Sequence, residues 1–275
     1  MSLRVDNLSF SYCTRSVLTG VSFHADAGKL LAILGPNGVG KTTLFRCILG
    51  LLPGYTGGIL LDDVDARKLS PRELAHRIAY IPQQHGQAFN YSVLDMVLMG
   101  TSHMLSPFSA PRERELAAAR AALSRVGVLS LSEKNYAHLS GGEQQLVLIA
   151  RALAQQTKTL LMDEPTSSLD YGNQTRILEQ VHALSREGYT VLLSTHNPQH
   201  ALWYADMALA LQGGRVAAFG EPARVLTPEL VCTLYDVDAR FIRTPDGSVI
   251  VPFAKEKQNA ETGGPLPFHT SKGGM

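Results

Sequence analysis

Residues 30–44 read Leu30-Leu31-Ala32-Ile33-Leu34-Gly35-Pro36-Asn37-Gly38-Val39-Gly40-Lys41-Thr42-Thr43-Leu44. The stretch begins as an apolar run bounded by glycine, which predicts a buried strand. It continues with the pattern G-x-x-x-x-G-K-[ST], in which Gly35, Gly40, Lys41 and Thr42 hold the required places. The residues that follow are apolar at helical spacing. We therefore predict a strand, a glycine loop and a helix in that order, which is the context this pattern needs.

These residue types are the ones that a phosphate-binding loop requires. Glycines let backbone N–H groups converge on phosphate oxygens without a Cβ in the way. The helix that follows points the positive end of its dipole at the same anion. Lys41 adds a charge that reaches the β- and γ-phosphates, and the Thr42 hydroxyl can ligate Mg²⁺. The alternative is an ordinary glycine turn, which the full match in its proper context disfavours.

The composition is that of an ordinary globular protein. The chain has 275 residues, of which 45% are hydrophobic and 18% charged, and its net charge is +1. No strong global field would recruit nucleic acid, so we expect no nucleic-acid partner. Cys13, Cys47 and Cys232 lack C-x-x-C spacing, which argues against a disulfide framework or a zinc site. Without a signal-peptide pattern or an apolar run of about 18 residues, we expect a cytoplasmic chain whose membrane role needs a partner.

Polar side chains follow three further apolar runs that predict strands. Gln83 follows one run, Asp163 and Glu164 follow a second, and His196 follows a third. Ligands of open α/β sheets bind beyond the carboxyl ends of the strands. Two carboxylates at the end of a buried strand are costly unless a metal or a proton transfer uses them. Asp163 suits Mg²⁺ through water and Glu164 suits an attacking water, whereas a lone glutamine or histidine at such a place carries less information.

A second pair of glycines opens a predicted helix. Ser140-Gly141-Gly142-Glu143 precedes apolar residues at helical spacing. A capped loop is the ordinary interpretation, yet two glycines at a helix N-terminus cost stability unless the backbone must approach something. This segment is therefore a second candidate phosphate site. Tyr12 could stack on a nucleotide base, although a surface or packing tyrosine is the more frequent case.

The remaining chain predicts strands interrupted by helices. Three short strands precede the glycine loop, Ser70 begins a helix with a capping box, and residues from about 85 to 155 are helical. Residues 207–220 predict a hairpin, and a last helix begins at Thr227. From about residue 255 the chain turns polar and rich in glycine, and we expect this tail not to fold.

Taken in order, these motifs closely resemble the ATP-binding cassette of ABC transporters over roughly residues 1–240. Residues 35–42 match its Walker A motif, residues 139–143 match its LSGGQ signature with glutamate in the last place, and residues 168–170 match its D-loop. The resemblance implies an α/β fold, a P-loop NTPase with a RecA-like core, an N-terminal antiparallel β subdomain and an inserted helical subdomain. Residues 241–275 would form a C-terminal extension.

The resemblance also implies roles for single residues. Glu164 is expected to be the catalytic glutamate, His196 the switch histidine that contacts the γ-phosphate, and Gln83 the Q-loop glutamine that senses Mg²⁺ and the membrane partner. Mg²⁺ would be held by Thr42, Gln83 and Asp163. The residues expected to bind ATP are Tyr12, Gly35, Pro36, Asn37, Gly38, Val39, Gly40, Lys41, Thr42, Thr43, Ser140, Gly141, Gly142, Glu143 and Asp170.

The same resemblance implies several partners. In this family the signature of one subunit binds the γ-phosphate held by the Walker A motif of the other, so two copies close head-to-tail over two ATP molecules. An integral-membrane permease would hold the chain at the inner face of the cell membrane, and a periplasmic or extracellular substrate-binding protein would act with it indirectly.

A narrower resemblance concerns the cargo. Residues 89–100 and 194–201 are similar to ATPases that energise uptake of ferric siderophores, haem, cobalamin and, in some relatives, molybdate. Leu146 stands where most cassettes place arginine, and Thr101 where many of this group do. These departures leave the cargo open.

Three alternatives remain at this point. A soluble ABC ATPase acting on ribosomes, DNA or iron–sulfur assembly would share the motifs, and so would the cassette of a different ABC transporter. A small-molecule P-loop kinase would explain residues 35–42 but leaves the signature and the pair of Glu164 and His196 unexplained.

One segment also suggests a docking surface for the permease. Residues from about 85 to 105 are rich in apolar side chains, which either pack into the helical subdomain or line a groove for a permease helix. They are Phe89, Tyr91, Val93, Leu94, Met96, Val97, Leu98 and Met99.

Overall fold

The structure is a computed structural model that describes residues 2–83, 90–105, 110–245 and 247–253. Within these ranges the strands and α-helices are, in chain order, β1 (Leu3–Tyr12), β2 (Arg15–Ala25), β3 (Leu30–Leu34), α1 (Lys41–Ile48), β4 (Thr56–Leu61), β5 (Val64–Asp65), α2 (Pro71–Ala75), β6 (Ile78–Ile81), α3 (Val93–Leu98), α4 (Glu113–Arg125), α5 (Gly141–Ala154), β7 (Thr159–Asp163), α6 (Tyr171–Arg186), β8 (Thr190–Thr195), α7 (Pro198–Tyr204), β9 (Met207–Gln212), β10 (Arg215–Gly220), α8 (Pro222–Val225), α9 (Pro228–Tyr235), β11 (Asp238–Thr244) and β12 (Gly247–Phe253). In the described parts of the chain, each helix is too short or too polar to cross a membrane.

A six-stranded central sheet positions the candidate site. Its strand order is β10, β9, β3, β8, β7, β6, and all neighbours are parallel except the pair of β10 and β9. Strands β3, β7 and β8 are buried along their full length, because helices or the second sheet cover both faces. Parallel strands bring their carboxyl ends to one edge, so the residues that follow β3, β6, β7 and β8 gather there.

A second, antiparallel sheet is built largely from the N-terminal strands. Its order is β2, β1, β4, β5, and Leu3 of β1 pairs with Ala25 of β2 and with Leu61 of β4. The prediction of three strands before the glycine loop is confirmed, although the first two are longer than expected, with 10 and 11 residues. Together the two sheets and the helices confirm the predicted α/β class with an antiparallel β part.

Two hydrophobic cores cover the faces of the central sheet. Leu31 and Ile33 of β3 belong to the core shared with helix α1 and the antiparallel sheet, in which Phe45 is fully buried. Leu160 and Met162 of β7 belong to the other core, on the side of α5. Each leucine, isoleucine or phenylalanine side chain buried in this way contributes about 1.5–3 kcal/mol. On the other face of β3, Ala32 and Leu34 pack in a third, smaller core with Ala201 of α7. The glycine loop is thus anchored by a strand that is packed on both faces.

The chain between β6 and β7 is helical through most of its described residues. Val93, Met96 and Val97 of α3 are buried beside Leu123 of α4, in the same core that covers one face of the central sheet. Of the two roles that the sequence left open for these three residues, packing in the helical core is correct and lining an exposed groove is not. Phe89 lies outside the described residues, and the limits of the helical subdomain at about 85–155 stay a prediction.

The C-terminal hairpin of β11 and β12 was not foreseen from the sequence. The last predicted helix does begin at Thr227, whose side chain caps α9. The hairpin then lies against α7, where Gln199 donates to the Ser248 carbonyl at 3.0 Å and accepts from the Ile250 amide at 2.7 Å. The expected boundary between residues 240 and 241 falls inside β11. The expected disorder of the tail from about residue 255 concerns residues outside the described ranges.

Gly100 lies at a close contact between its own backbone and that of helix α5. A Cβ on Gly100 would lie 2.1 Å from the carbonyl oxygen of Arg151 in α5, a separation that real Cβ atoms do not adopt. We predict that Gly100→Ala lowers the free energy of unfolding by about 1–3 kcal/mol, because the two backbones must separate. Urea unfolding followed by circular dichroism measures this change.

Gly172 offers a matched control for that substitution. A Cβ on Gly172 would lie an ordinary 3.6 Å from its nearest neighbour, Asp170 Oδ1. Gly172→Ala should therefore change the stability by less than about 0.5 kcal/mol or raise it slightly. Equal effects of the two substitutions would contradict the close approach at Gly100.

Candidate functional site

The candidate site lies at the carboxyl edge of the central sheet. Gly35 follows β3, Gln83 comes two residues after β6, Glu164 follows β7 and His196 follows β8. The strand order places β8 between β3 and β7, with β6 beyond β7. The topology therefore brings together four groups that are far apart in the chain, as the sequence analysis expected for polar residues at strand ends.

The loop between β3 and α1 needs its glycines. Gly35, Gly38 and Gly40 have φ values of 150°, 80° and 113°, which favour glycine. A Cβ on Gly35 would also lie 2.6 Å from the carbonyl oxygen of Leu211, and one on Gly40 would lie 2.9 Å from Leu18 Cδ2. No side chain of the described residues caps the N-terminus of α1. Its first amides and its dipole are thus available to an anion.

Lys41 is buried at the start of α1. Its side chain is 5% exposed, and Nζ donates to the carbonyl oxygens of Gly35 at 2.8 Å and Pro36 at 3.2 Å. The same ammonium lies 3.1 Å from Glu164 Oε1. The ammonium therefore stabilises the curved loop from inside and compensates a buried carboxylate at the same time.

The carboxylate of Glu164 is the point on which the predicted catalytic groups converge. It is 7% exposed, and besides Lys41 on Oε1 it accepts a hydrogen bond on Oε2 from Gln83 Nε2 at 3.1 Å. Nδ1 of His196 lies 3.1 Å from the same oxygen. The backbone of Glu164 has a φ of 45°, an uncommon left-handed conformation for a residue with a side chain. Strain of this kind concentrates at functional sites.

Asp163 is held by two residues that the sequence analysis missed. Ser194 Oγ donates to Asp163 Oδ1 at 2.6 Å and accepts from the Glu164 amide at 2.9 Å. Tyr80 donates to Asp163 Oδ2 at 3.4 Å, and burial, followed by the charge of Asp163, raises the pKa of Tyr80 to about 12. Ser194 is buried in β8 and Tyr80 is partly buried in β6, and neither residue type gives a local signal within a strand. Together they fix the orientation of the adjacent carboxylates.

A cavity of about 300 Å³ opens in front of these groups. It is lined by eight of the predicted site residues, namely Asn37, Gly38, Gly40, Lys41, Thr42, Thr43, Gln83 and Glu164. The Thr42 hydroxyl and the Gln83 amide oxygen in its lining are hard ligands of the kind that Mg²⁺ prefers. Asp163, which is 1% exposed and does not line the cavity, would act on such an ion through water, as expected from the sequence. The donor set thus fits a magnesium ion beside a bound phosphate.

Some predicted site residues do not line this cavity. Val39 packs in the core, and its amide donates to Pro36 O at 3.3 Å, so it has a structural role in the loop. Tyr12 is 41% exposed at the end of β1 and packs edge-on against Phe10, with the ring centroids 4.9 Å apart. This geometry leaves both the stacking role and the packing role of Tyr12 open.

The Ser140–Glu143 segment forms a capping box at the start of α5. Glu143 Oε2 accepts from the Ser140 amide at 2.9 Å and from Ser140 Oγ at 2.8 Å. These hydrogen bonds, the backbone one first, hold the pKa of Glu143 below its usual range. A Cβ on Gly142 would lie 2.4 Å from Asn173 Oδ1, so a larger residue there would displace the Asn173 side chain from its hydrogen bond with Asp170.

Asp170 has a comparable place at the start of the next helix. It caps α6 by accepting from the Asn173 amide at 2.8 Å, and this hydrogen bond is the main cause of its lowered pKa. Neither Asp170 nor the Ser140–Glu143 segment lines the cavity at the glycine loop. Their expected contact with nucleotide stays a prediction, and within one chain they act as helix caps.

Comparison with known proteins identifies a family and several relatives. The sequence model of a family described as ABC transporter matches residues 18–167. An ATP-binding protein of Helicobacter pylori J99 assigned to iron chelatin transport is 37% identical over 91% of this chain and 99% of its own length. The hemin import ATP-binding protein HmuV of Bordetella pertussis is 38% identical over 89% of this chain and 96% of its own.

A solved structure extends the similarity to three dimensions. A chain of a transporter assigned to the metal-chelate type of ABC transporters, in an inward-facing conformation, superposes with a TM-score of 0.82. It is 33% identical in sequence, and the match covers 92% of this chain and 98% of the other.

The buried pair of Lys41 and Glu164 generates a prediction about stability. Lys41→Met should lower the free energy of unfolding by about 3 kcal/mol, because it leaves the Glu164 carboxylate buried without its cation. Adding Glu164→Gln should restore most of that loss, since the uncompensated charge is gone. Urea unfolding in the absence of nucleotide measures both effects.

An exposed pair supplies the control. Lys29 Nζ lies 3.0 Å from Asp206 Oδ1, with about half of the lysine side chain in solvent. Lys29→Met should cost no more than about 1 kcal/mol. Equal losses of unfolding free energy in Lys41→Met and Lys29→Met would contradict a larger contribution from the buried pair.

Proposed function

The chain belongs to the ABC transporter family of ATP-binding proteins, and on that premise we propose that it is the ATP-hydrolysing subunit of an importer for metal chelates. ATP hydrolysis is the activity of the family, so the chain is an ATPase. One observation carries the assignment of the chemistry to residues. It is the convergence of Lys41, Gln83 and His196 on the buried carboxylate of Glu164, beside a glycine loop that can take phosphate.

The glycine loop binds the phosphates of ATP in this proposal. Backbone amides of the glycine loop, other than that of Val39, and the dipole of α1 face the anion. Lys41 exchanges its ion pair with Glu164 for the β- and γ-phosphate oxygens, so nucleotide binding frees the Glu164 carboxylate. The same lysine thus couples occupancy of the loop to the state of the catalytic group.

Glu164 then acts on the attacking water. A carboxylate released from its cation can accept a proton from water and orient it towards the γ-phosphorus. His196 is half exposed and lies within hydrogen-bond distance of Glu164, so it can contact both the carboxylate and the γ-phosphate. Thr42, Gln83 and Asp163 would hold Mg²⁺, Asp163 through water. When it is bound, the ion neutralises charge on the phosphate oxygens.

A second copy of the chain completes the site in this proposal. The Ser140–Glu143 segment carries a helix N-terminus and two glycines, yet it lies outside the cavity of its own glycine loop. If it binds a γ-phosphate, that phosphate is the one held by another copy. In a head-to-tail dimer with two ATP molecules, each nucleotide contacts the glycine loop of one copy and the Ser140–Glu143 segment of the other. Asp170 and Tyr12 provide further contacts to the nucleotide.

An apolar groove supplies a docking surface for the membrane permease. It has a volume of about 380 Å³ and is lined by Leu49, Leu51, Pro71, Leu74, Ala75, Ile78, Tyr80, Met99, Gly100, Ser102, His103, Arg151, Ala152 and Gln155. Leu51 is 62% exposed and Met99 is 41% exposed at its rim. Of the apolar segment singled out in the sequence, Met99 therefore keeps the docking role, while Val93, Met96 and Val97 belong to the core. Leu51 was not foreseen.

The proposed cargo follows from the relatives. Proteins named for iron chelatin transport and hemin import match this chain over nearly its whole length. We extend to this chain the shared class, a metal chelate of the ferric siderophore, haem, cobalamin or molybdate type. Such a system delivers cargo to the permease through a substrate-binding protein, and the permease holds the ATPase at the inner face of the cell membrane. The cassette in this scheme ends at about residue 237, and the hairpin of β11 and β12 begins the C-terminal extension, because the expected limit at residue 240 falls inside β11.

The chemistry yields a direct test. Glu164→Gln should retain ATP binding and lower kcat by about 100-fold or more, because an amide cannot accept the proton. A coupled ATPase assay and nucleotide titration measure the two quantities. Glu187→Gln, which alters an exposed glutamate paired with Arg125, is the control and should leave kcat unchanged. Wild-type hydrolysis by Glu164→Gln would make the assignment wrong.

The same variant tests the dimer. With hydrolysis blocked and one negative charge removed from each site, the ATP-bound dimer should accumulate. Size-exclusion chromatography with light scattering should then give twice the chain mass in MgATP and the chain mass without nucleotide. A chain that stays monomeric with ATP bound would contradict the head-to-tail arrangement.

The docking groove is tested by two exposed side chains. Leu51→Asp and Met99→Asp should abolish association with the permease that co-purifies with the wild-type chain and stop transport in proteoliposomes, since each places a charge in an apolar contact. Basal ATP hydrolysis by the isolated chain should persist. Leu129→Asp, on a residue that is 41% exposed outside the groove, is the control. Intact transport in the first two variants would exclude this docking site.

A further inference from the structure

The segment that carries His196 is very short. His196 lies between Thr195, the last residue of β8, and Asn197, which caps α7. Its side chain is half exposed, whereas Thr195 is 3% exposed. The direction in which His196 points therefore depends on how firmly its two neighbours are held.

One buried side chain holds both neighbours. His200, on the first turn of α7, is 8% exposed. Its Nδ1 lies 3.3 Å from Thr195 Oγ1, and its Nε2 lies 3.0 Å from Asn197 Nδ2. The imidazole thus bridges the residue before His196 and the residue after it.

The hydrogen-bond network determines the form of this imidazole. Asn197 Oδ1 accepts from the Gln199 amide at 2.9 Å, so Asn197 Nδ2 is the atom that faces His200 and donates to it. Nε2 of His200 is then an acceptor, and Nδ1 carries the proton that is donated to Thr195 Oγ1. The ring is neutral, in agreement with burial and, secondarily, the nearby His196, which lower the pKa of His200 to about 4.

A further hydrogen bond links the two neighbours of His196 directly. The Asn197 amide donates to Thr195 Oγ1 at 3.1 Å, so this hydroxyl oxygen receives hydrogen bonds from both His200 and the chain beyond His196. Both ring nitrogens of His200 are used, and each is used on a residue directly next to His196. A side chain needed only to fill space could be apolar, because the volume at a helix–sheet contact demands no polar atoms.

We propose that His200 is a positioning residue for His196, which holds the Thr195–Asn197 segment so that His196 Nδ1 stays within reach of Glu164. The inference rests on the role assigned to His196 in ATP hydrolysis and adds the group that fixes its geometry. His200 does not line the cavity at the glycine loop, and the hydrogen bonds that the structure gives it go to Thr195 and Asn197, so it acts on turnover through His196.

The test compares kcat and KM for ATP in the purified full-length chain. His200→Leu should lower kcat about 10-fold and change KM less than about twofold, because misplacement of a catalytic group affects the transition state more than substrate binding. His200→Gln should recover at least half of the lost activity on a logarithmic scale, since its amide oxygen can still accept from Asn197. Thr195→Val removes the other end of the network and should reproduce the loss if His200→Leu fails to fold.

A double-mutant cycle separates positioning from a general loss of structure. Because His200 acts through His196, the variant with both His196→Ala and His200→Leu should have the kcat of His196→Ala alone, within about twofold. His182→Leu is the matched control. His182 lies in α6, and its Nδ1 is 2.9 Å from the carbonyl oxygen of Tyr204, the last residue of α7. It should leave kcat unchanged.

The outcomes distinguish two kinds of failure. If His196→Ala lowers kcat but His200→Leu and Thr195→Val do not, the positioning role is wrong while the proposed function stands. If the losses from His196→Ala and His200→Leu multiply, or if His182→Leu lowers kcat equally, His200 acts as an ordinary stabilising residue and the proposal fails. Unchanged kcat in His196→Ala would overturn both this inference and the assignment on which it rests.

Discussion

The buried carboxylate of Glu164 is the constraint on which the site depends. A charge that is 7% exposed is tolerated because Lys41 compensates it and because Gln83 and His196 lie within hydrogen-bond distance of it. These groups come from four separate segments, so the arrangement exists only when the parallel strands are aligned at one edge. The central sheet, with its cores on both faces, is the scaffold that maintains this alignment against the cost of burying the charge.

Much of this arrangement could be predicted from the sequence because its signals are local. Buried parallel strands are short apolar runs, and the glycine loop has a pattern whose residue types follow from the chemistry of phosphate binding. Gln83, Glu164 and His196 each directly follow or nearly follow such a run. The rule that parallel strands present their carboxyl ends at one edge was therefore enough to place these residues together.

Other parts of the site could not be found in this way. Ser194, Tyr80 and His200 are common residue types inside strands or helices, and their importance arises from contacts with residues distant in the chain or on the next turn. The apolar segment around Val93 was ambiguous, because the same residue types fill a core or line a groove. The hairpin of β11 and β12 was missed, since its pairing with Gln199 depends on a surface that exists only after α7 has packed.

Helix α5 also has the geometry of a lever. Its first turn carries the Ser140–Glu143 segment, and Arg151 and Ala152 in its last turn line the apolar groove that we propose for docking. At the groove end, Gln155 donates to the carbonyl oxygens of Ala75 at 2.5 Å and Ile78 at 2.8 Å, which ties that end to the central sheet. Fourteen residues span about 21 Å, so a tilt of about 10° around Gln155 would move Ser140 by about 4 Å. A small push close to the pivot is therefore amplified at the distant end to more than the length of a hydrogen bond.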